Sequence, residues 1–430
     1  MYDLIIIGGG PAGYHAAELA AKEGLKTLLF EERSIGGVCL NEGCIPSKSL
    51  LYSAKLYDYA KGGAEKYGVT CKDAFFDYKV AAAHKGNVIK KLVAGVEAKL
   101  KKAGVEIVRE NASIKGKTSG GFEVGSYQSR NLLICTGSSP VIPPIKGIEN
   151  ALTNREILAL TEVPESLAII GGGAIGLEMA SIFNSAGSKV AIYEMADKIA
   201  GLFDREISNE LQKIYEKKGV EFKLGYAVDD IAKLGAEKTL ICVGRKPNIK
   251  GLGLESLNIT TDGGSILTDE YMKTGIPRVY AAGDVNGKYM LAHTAYREAE
   301  VAINNIVGRR DIMEYSAIPS IIYTNPEAAG IGETLESAQA KGLSSLRETK
   351  LPMQYSGRFV AENEGGTGLC KLVWSEKRLI GAHMLGNPCS EIISTLAAIL
   401  YREMSIEQIK KIIFPHPTVA EIIKEAVFNA

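Results

Sequence analysis

Residues 2–33 read YDLIIIGGGPAGYHAAELAAKEGLKTLLFEER. The apolar run from Leu4 to Ile7 enters a G-x-G-x-x-G turn at Gly8, Gly10 and Gly13. A helix with Ala and Leu on its inner face follows, and KTLLFE returns as a second strand ending at Glu31. Each part has a physical reason. Glycines let a pyrophosphate approach the backbone, the helix N-terminus offers free N–H groups and partial positive charge, and the acid receives a ribose hydroxyl. A glycine turn alone is weak evidence, but between a strand and a helix, with an acid at the tip of the next strand, it predicts a dinucleotide-binding unit.

The unit recurs at residues 166–195, SLAIIGGGAIGLEMASIFNSAGSKVAIYEM, with Gly171, Gly173, Gly176 and Glu194. Gly8 and Glu31 are 23 positions apart, as are Gly171 and Glu194. A chance glycine-rich turn would not repeat strand, helix and acid at one spacing, so the chain is expected to bind two dinucleotides. Both acids suit a free ribose 2′-hydroxyl and would repel a 2′-phosphate. Glu31 fits the adenosine ribose of FAD, and Glu194 favours NAD over NADP, with Lys198 close by as a counterweight.

The remaining chain sorts into patterns around these units. Residues 105–137 alternate short strands with Gly and Ser turns and predict a small β-meander. Residues 84–104 carry Val88, Leu92, Val93, Val96 and Leu100 at helical spacing, a packing face. The segment 278–306 reads strand, Gly-Asp turn, helix. From about Asp311 strands are followed by helices, a separate α+β pattern. The expected organisation is α/β: a FAD-binding domain from 1–145 and 267–310, a NAD-binding domain at 146–266, and a separate C-terminal α+β domain at 311–430. At 430 residues, a prior of roughly 150 per domain also suggests about three.

Composition narrows the partners. Fifty basic and fifty acidic residues cancel, with no long run of either sign, so neither nucleic acid nor an anionic membrane surface is expected as a partner. The apolar runs fall far short of the ~20 residues needed to cross a bilayer, and the N-terminus lacks a basic n-region and cleavage site, which predicts a cytoplasmic protein.

Seven cysteines are scattered along the chain, and two are close: Cys39 and Cys44 in GGVCLNEGCIPSK, residues 36–48. The other five read as small core or surface hydrophobes. A zinc site needs four ligands, usually two close pairs, and no second cluster accompanies this one, so no metal is expected. On a regular helix the two Cα atoms would lie roughly 8–9 Å apart, whereas a disulfide needs less than about 7 Å. A bond between them requires a distorted turn, which Gly43 permits. Such a bond closes too short a ring to stabilise the fold much and is easily reduced, which favours a redox pair over a staple.

GGVCLNEGCIPSK, the two glycine turns, ICTGSSP, CVGRKPN, VYAAGDV with MLAH, and FPHPTVAE follow one another across nearly the whole chain. In this order they resemble the pyridine nucleotide-disulfide oxidoreductases, and within them the branch that oxidises dihydrolipoamide. The resemblance implies that Cys39 exchanges with the substrate disulfide or dithiol and that Cys44 faces the flavin. It places Lys48 near the flavin ring, Asp284 on the ribityl chain, Met290, Leu291, Ala292 and His293 along the isoalloxazine, and the backbone of Thr136, Gly137 and Ser138 against FAD. Gly244 would approach NAD, and Glu178 would lie near Lys48 and the nicotinamide. Read without the family, Lys48 and Glu178 are as readily solvated helix charges, Asp284 an ordinary turn residue, and His293 and His383 structural; His15 and His84 are positions with no partner in sight.

A thiol nucleophile needs a base, because an unperturbed cysteine ionises only near pH ~8.5. His416 precedes Pro417, which biases it away from helix and sets it at a helix mouth. The resemblance makes His416 that base and Glu421 the acid that orients it, with His416 reaching the site from the second subunit of a homodimer. Thr418 and Glu421 also spell a Thr-x-x-Glu capping box, a purely structural use of the same glutamate. Two departures from the family stand out: Phe414 replaces a second histidine, and the stretch between Leu224 and Thr239 is too short for the usual β-meander of the NAD domain.

The expected activity is oxidation of dihydrolipoamide, on a lipoyl carrier protein or the lipoyl domain of a 2-oxoacid dehydrogenase or glycine cleavage complex, with FAD and NAD as cofactors. A glutathione-reductase-like enzyme would carry arginines after Glu194, where EMADKIAG has none. A non-catalytic FAD-binding scaffold subunit would have no use for Cys39, Cys44, His416 and Glu421 together.

Overall fold

The computed structural model describes residues 1–363 and 366–430 and is built on three principal sheets. In the first, parallel strands run in the order Glu106–Val108, Thr27–Phe30, Tyr2–Ile7, Tyr127–Ile134. On its other edge, strand Tyr127–Ile134 serves two partners along its length. Its first half pairs antiparallel with Gly121–Val124, which pairs with Ile114–Thr118, giving the expected meander. Its second half pairs parallel with Val279–Ala281. The chain therefore leaves this sheet, builds the second unit, and returns to finish the first.

Leu4, Ile5 and Ile6 are fully buried, as a strand covered on both faces requires. The helix Pro11–Lys22 lays Ala12, Ala16, Ala17 and Ala20 into a core shared with Ala295, Ala299 and Ala302 of the helix Ala292–Ile306. Small side chains on both helices allow their close approach.

The second sheet is four parallel strands in the order Glu221–Leu224, Lys189–Glu194, Ser166–Ile170, Lys238–Ile241. The strand-helix-strand pattern of the first unit is repeated, and the fold is two Rossmann-like units plus an α+β domain. Residues 225–237, where the sequence is short, hold one 3-10 turn at Ile231–Leu234 and no strand among the described residues. The core of this unit includes Leu50 and Leu51 from the helix that begins at Cys44. Apolar contact thus ties the cysteine helix to the second nucleotide unit.

The third sheet is antiparallel, in the order Ser320–Ile322, Ala328–Gly332, Arg378–Leu385, Leu369–Ser375, Leu346–Pro352. Helices Cys389–Tyr401 and Glu421–Phe428 share its core around the fully buried Trp374. The helix expected from residue 84 begins at Tyr78 and runs to Lys102, because Asp77 caps it by accepting from Val80 N at 3.0 Å. Among the described residues no helix is long and apolar enough to cross a membrane.

Candidate functional site

The two glycine turns are built alike, atom by atom. Gly8 has φ 104°, and a Cβ there would sit 2.2 Å from the carbonyl oxygen of Cys135; Gly171 has φ 113°, with the Cys242 carbonyl oxygen 2.5 Å away. A Cβ on Gly13 would meet the Gly8 oxygen at 1.7 Å, and one on Gly176 the Gly171 oxygen at 2.1 Å. These contacts need glycine and leave the middle glycines, Gly10 and Gly173, to cap the helices Pro11–Lys22 and Ala174–Ser185. Both acids fold back over their turns. Glu31 accepts from Gly9 N at 2.8 Å and from Arg33 N and Ser34 N, while Glu194 accepts from Gly172 N at 2.7 Å and from Ala196 N. Even the cysteines match, with Cys135 N donating to Ile7 O and Cys242 N to Ile170 O. Burial pushes the Cys242 thiol up to about 12 and Cys135 higher still, which disfavours the thiolate at both.

Cys39 lies in the helix Gly37–Glu42 and Cys44 opens the helix Cys44–Asp58. The break between them is at Gly43, whose ψ of −107° belongs to neither helix. A Cβ there would meet the Val38 carbonyl oxygen at 3.0 Å. Both thiols are free and lie within reach of a sulfur hydrogen bond to each other. That bond, with burial, raises the Cys39 thiol far above its ordinary value. The same bond, helped by the charge of Lys48, lowers Cys44 despite its burial.

Lys48 is one turn on from Cys44. Its Nζ donates to both carboxylate oxygens of Glu178, at 3.0 and 2.9 Å, and stands 4.3 Å above the ring of Tyr323. Tyr323 N donates to the same carboxylate at 3.2 Å. One buried glutamate on the helix Ala174–Ser185 therefore joins the cysteine helix, the second nucleotide unit and the C-terminal domain. On the other side, Ser138 Oγ donates to Asp284, and Arg245 donates to Ser138 through Nε at 2.7 Å and to its carbonyl through Nη2 at 2.6 Å. Thr136 is held by Asn248 in both directions, at 2.7 and 3.0 Å. Glu298, fully buried, accepts from Gly283 N, Asn286 and Tyr315 and so fixes the Gly-Asp turn; burial holds its carboxyl above the usual range.

These groups face one cavity of about 1190 Å3, beyond the ~300–1,000 Å3 of a drug-sized pocket. Gly8, Gly10, Glu31, Cys39, Cys44, Lys48, Thr136, Gly137, Ser138, Glu178, Asp284 and Met290 to His293 all line it. Gly13 packs beneath the turn. Gly171, Gly173, Gly176, Glu194 and Gly244 lie outside the cavity wall, in the second unit. His293 donates through Nε2 to the Pro319 carbonyl at 2.9 Å. His15, which the sequence left without a partner, meets Glu300 at 3.3 Å and the edge of Tyr296. Arg245, Asn248 and Tyr323 were not foreseen as site residues, and each reaches the site from more than 100 positions away.

His416 and Glu421 do not join this cavity. His416 Nδ1 is 3.0 and 3.2 Å from the two Glu421 oxygens, and because a carboxylate only accepts, Nδ1 carries the hydrogen and Nε2 is left free. The histidine side chain is 80% exposed. Glu421 also accepts from Thr418 N at 2.9 Å, but Thr418 Oγ1 donates to the Pro415 carbonyl instead of completing a capping box. Both uses of the glutamate foreseen in the sequence are present, one in full and one by half. The bonds from Thr418 and His416 hold the Glu421 carboxyl below the usual range. Among the described residues no cluster of three or more His, Cys, Asp or Glu is arranged to hold a metal.

Two nucleotide units, a close thiol pair and a C-terminal α+β domain define a class, and the chain belongs to it: it is a member of the pyridine nucleotide-disulphide oxidoreductase family, whose profile matches residues 2–299, with the family's dimerisation domain matching 318–427. Within that class it is similar to dihydrolipoyl dehydrogenases. It is 34% identical to that of Bacillus subtilis over 100% of this chain and 98% of the relative, and 36% identical to that of Thermus scotoductus over 99% and 96%. Among solved structures, the HOCl-induced flavoprotein disulfide reductase RclA of Escherichia coli superposes with a TM-score of 0.87 at 25% identity, over 100% of this chain and 99% of that one. LpdA of Mycobacterium tuberculosis shares the fold with a TM-score of 0.90 at 22% identity, over 99% of each chain. The cofactors are FAD and NAD, and the residues present fit them: two cradles that a Cβ would fill, each with an acid over its turn, and a large cavity joining the first cradle to the thiols.

Proposed function

We propose that the chain oxidises protein-bound dihydrolipoamide to lipoamide and reduces NAD+, with Cys39 and Cys44 as the redox pair. The observation that carries this reading is the pair of free thiols, Cys39 and Cys44, set with Lys48 in the cavity that also reaches the first glycine turn. In the oxidised enzyme Cys39 and Cys44 would share a disulfide. A substrate thiol, deprotonated by His416 Nε2, attacks Cys39 Sγ; the S–S bond breaks and the electron pair leaves on Cys44. The second substrate thiol then attacks the mixed disulfide, closes the lipoamide ring and expels Cys39, which takes up a proton. Lys48, held by Glu178, offsets the charge on Cys44 throughout, since an opposite charge close by favours the ionised thiol. When bound, FAD and NAD+ supply the two-electron relay and final hydride acceptance that return the pair to a disulfide.

Gly8, Gly10, Gly13, Glu31, Thr136 to Ser138, Asp284 and Met290 to His293 would hold FAD; Gly171, Gly173, Gly176, Glu178, Glu194 and Gly244 would hold NAD. The exposure of His416, together with its fixed tautomer, supports delivery from a second copy of the chain in a homodimer built on residues 311–430. Residues 1–145 with 267–310, and 146–266, would be the FAD and NAD domains. The protein partner would be a lipoyl carrier protein or the lipoyl domain of a 2-oxoacid dehydrogenase or glycine cleavage complex, in the cytoplasm. Steady-state reduction of lipoamide with NADH and with NADPH tests the reading. It expects the higher kcat/KM with NADH; a higher value with NADPH contradicts the role of Glu194, and no lipoamide turnover with either contradicts the whole.

A further inference from the structure

Glu42 stands between the two cysteines in the sequence and has no part in the chemistry proposed above. It ends the helix Gly37–Glu42, where a carboxylate meets the negative end of the helix dipole and is unfavourable unless paired. Here it is gripped at both ends. Oε1 lies 2.6 Å from Arg33 Nη2, on the loop after Glu31, and Oε2 accepts from Arg155 Nε at 2.6 Å. Its backbone carbonyl, left unsatisfied by the helix end, accepts from Asn154 Nδ2 at 2.7 Å. Asn154 and Arg155 open the helix Asn154–Ala159, whose Ile157 and Leu158 lie in the core of the second nucleotide unit. Asn154 in turn faces Arg245, the residue that holds Ser138. The Glu42 side chain is only 13% exposed. The next residue is Gly43, the joint between the two thiols.

We propose that Glu42 is a positioning residue that, through Arg33, Arg155 and Asn154, holds the Cys39 helix against Cys44 and so biases the pair toward the disulfide. The inference rests on the reading of Cys39 and Cys44 as the redox pair. The equilibrium concerned is exchange with a dithiol: enzyme disulfide and a reduced dithiol give enzyme dithiol and an oxidised cyclic disulfide, two electrons and two protons passing together. Releasing the grip acts in one direction by two routes. The segment at Gly43 gains conformational freedom that only the open dithiol can use. Loss of the carboxylate charge also removes a negative group from the cavity that holds the thiols and leaves Arg33 and Arg155 without their ionic partner, which favours an ionised thiol.

The test equilibrates flavin-loaded wild type, Glu42→Gln, Arg155→Gln and the double variant across ratios of reduced to oxidised dithiothreitol, then alkylates and weighs the Cys39–Cys44 peptide. Glu42→Gln is expected to shift the balance toward the dithiol by about 3- to 10-fold, the span of charge-assisted pairs at a part-buried site. The double variant should match Glu42→Gln, since groups acting as one unit do not add. An unshifted balance in Glu42→Gln with flavin content and Tm intact overturns the inference, and so do additive effects. Should Glu42→Gln fold poorly, Arg155→Gln carries the test alone, at a half-exposed position, and no shift there overturns it. A wild type whose two thiols never pair would instead refute the redox reading beneath it.

Discussion

The two ends of the proposed site differ in how much of it a single chain completes. At the cysteine end Lys48, Glu178 and Tyr323 close on one another from three parts of the chain, over 130 and 145 positions, and the half-buried thiols share their cavity. At the histidine end His416 and Glu421 are five positions apart, orient each other fully, and leave the imidazole 80% exposed. The difference teaches that local sequence can aim a base while saying nothing of what it serves. A carboxylate holding Nδ1–H is a prepared acceptor at Nε2, and a prepared base that does not line the thiol cavity of its own chain fits delivery to another chain.

The sharpest way to break the contrast is at the cysteine end. Cys44→Ser should lower NAD-linked turnover of dihydrolipoamide on the order of 10³-fold or more, because no other residue can take the electron pair from Cys39. Full turnover in that variant would leave only a flavin-binding scaffold. His416→Gln should cost about 10²- to 10⁴-fold in kcat, the usual worth of a positioned base; steady-state kinetics retaining the wild-type kcat would dissolve the histidine end. Glu421→Gln should cost less, roughly 10-fold in kcat, with Tm lowered as well because a single amide oxygen is left to accept from both His416 Nδ1 and Thr418 N. A change in Tm without one in kcat would make Glu421 a helix cap alone.

The smallest effect concerns pH. Cys44 in the reduced protein is held below its ordinary thiol value by the Cys39 hydrogen bond and by Lys48. A group lowered on folding is charged, and contributes stability, above its unfolded value; that contribution fades as pH falls through the folded value. Ultraviolet thiolate absorbance of the reduced enzyme should therefore persist below pH ~8.5, and Lys48→Met should move its midpoint upward. An unmoved midpoint would mean Lys48 does not sense the thiol.

Much of this architecture was legible because it rests on short-range sterics. Gly8, Gly13, Gly171 and Gly176 sit where a Cβ would strike a carbonyl, so the spacing had to recur, and with it came the strands, the helices and the paired acids. The break at Gly43 followed from the same reasoning about what a disulfide requires. What escaped was long-range. Tyr323 carries no local pattern, and although Arg245 and Asn248 lie in CVGRKPN, that motif does not name their partners, which are decided by which strands the fold brings together. His15 looked unpartnered because Glu300 is 285 positions away. Asp77 was a readable cap, and attention to it would have started the helix at Tyr78. Glu421 was ambiguous for a physical reason: one carboxylate has enough lone pairs to accept from a histidine and a backbone amide at once.

The central claim, that one chain's thiols are served by another chain's histidine, is tested most directly by mixing two inactive variants. Cys44→Ser and His416→Gln protomers, unfolded and refolded together in equal amounts, should recover about a quarter of wild-type turnover, because half the symmetric dimers are mixed and each holds one intact site of its two. Recovery no greater than the sum of the separate variants, with mixed dimers shown to be present by mass, would place both groups in a single chain and contradict the account.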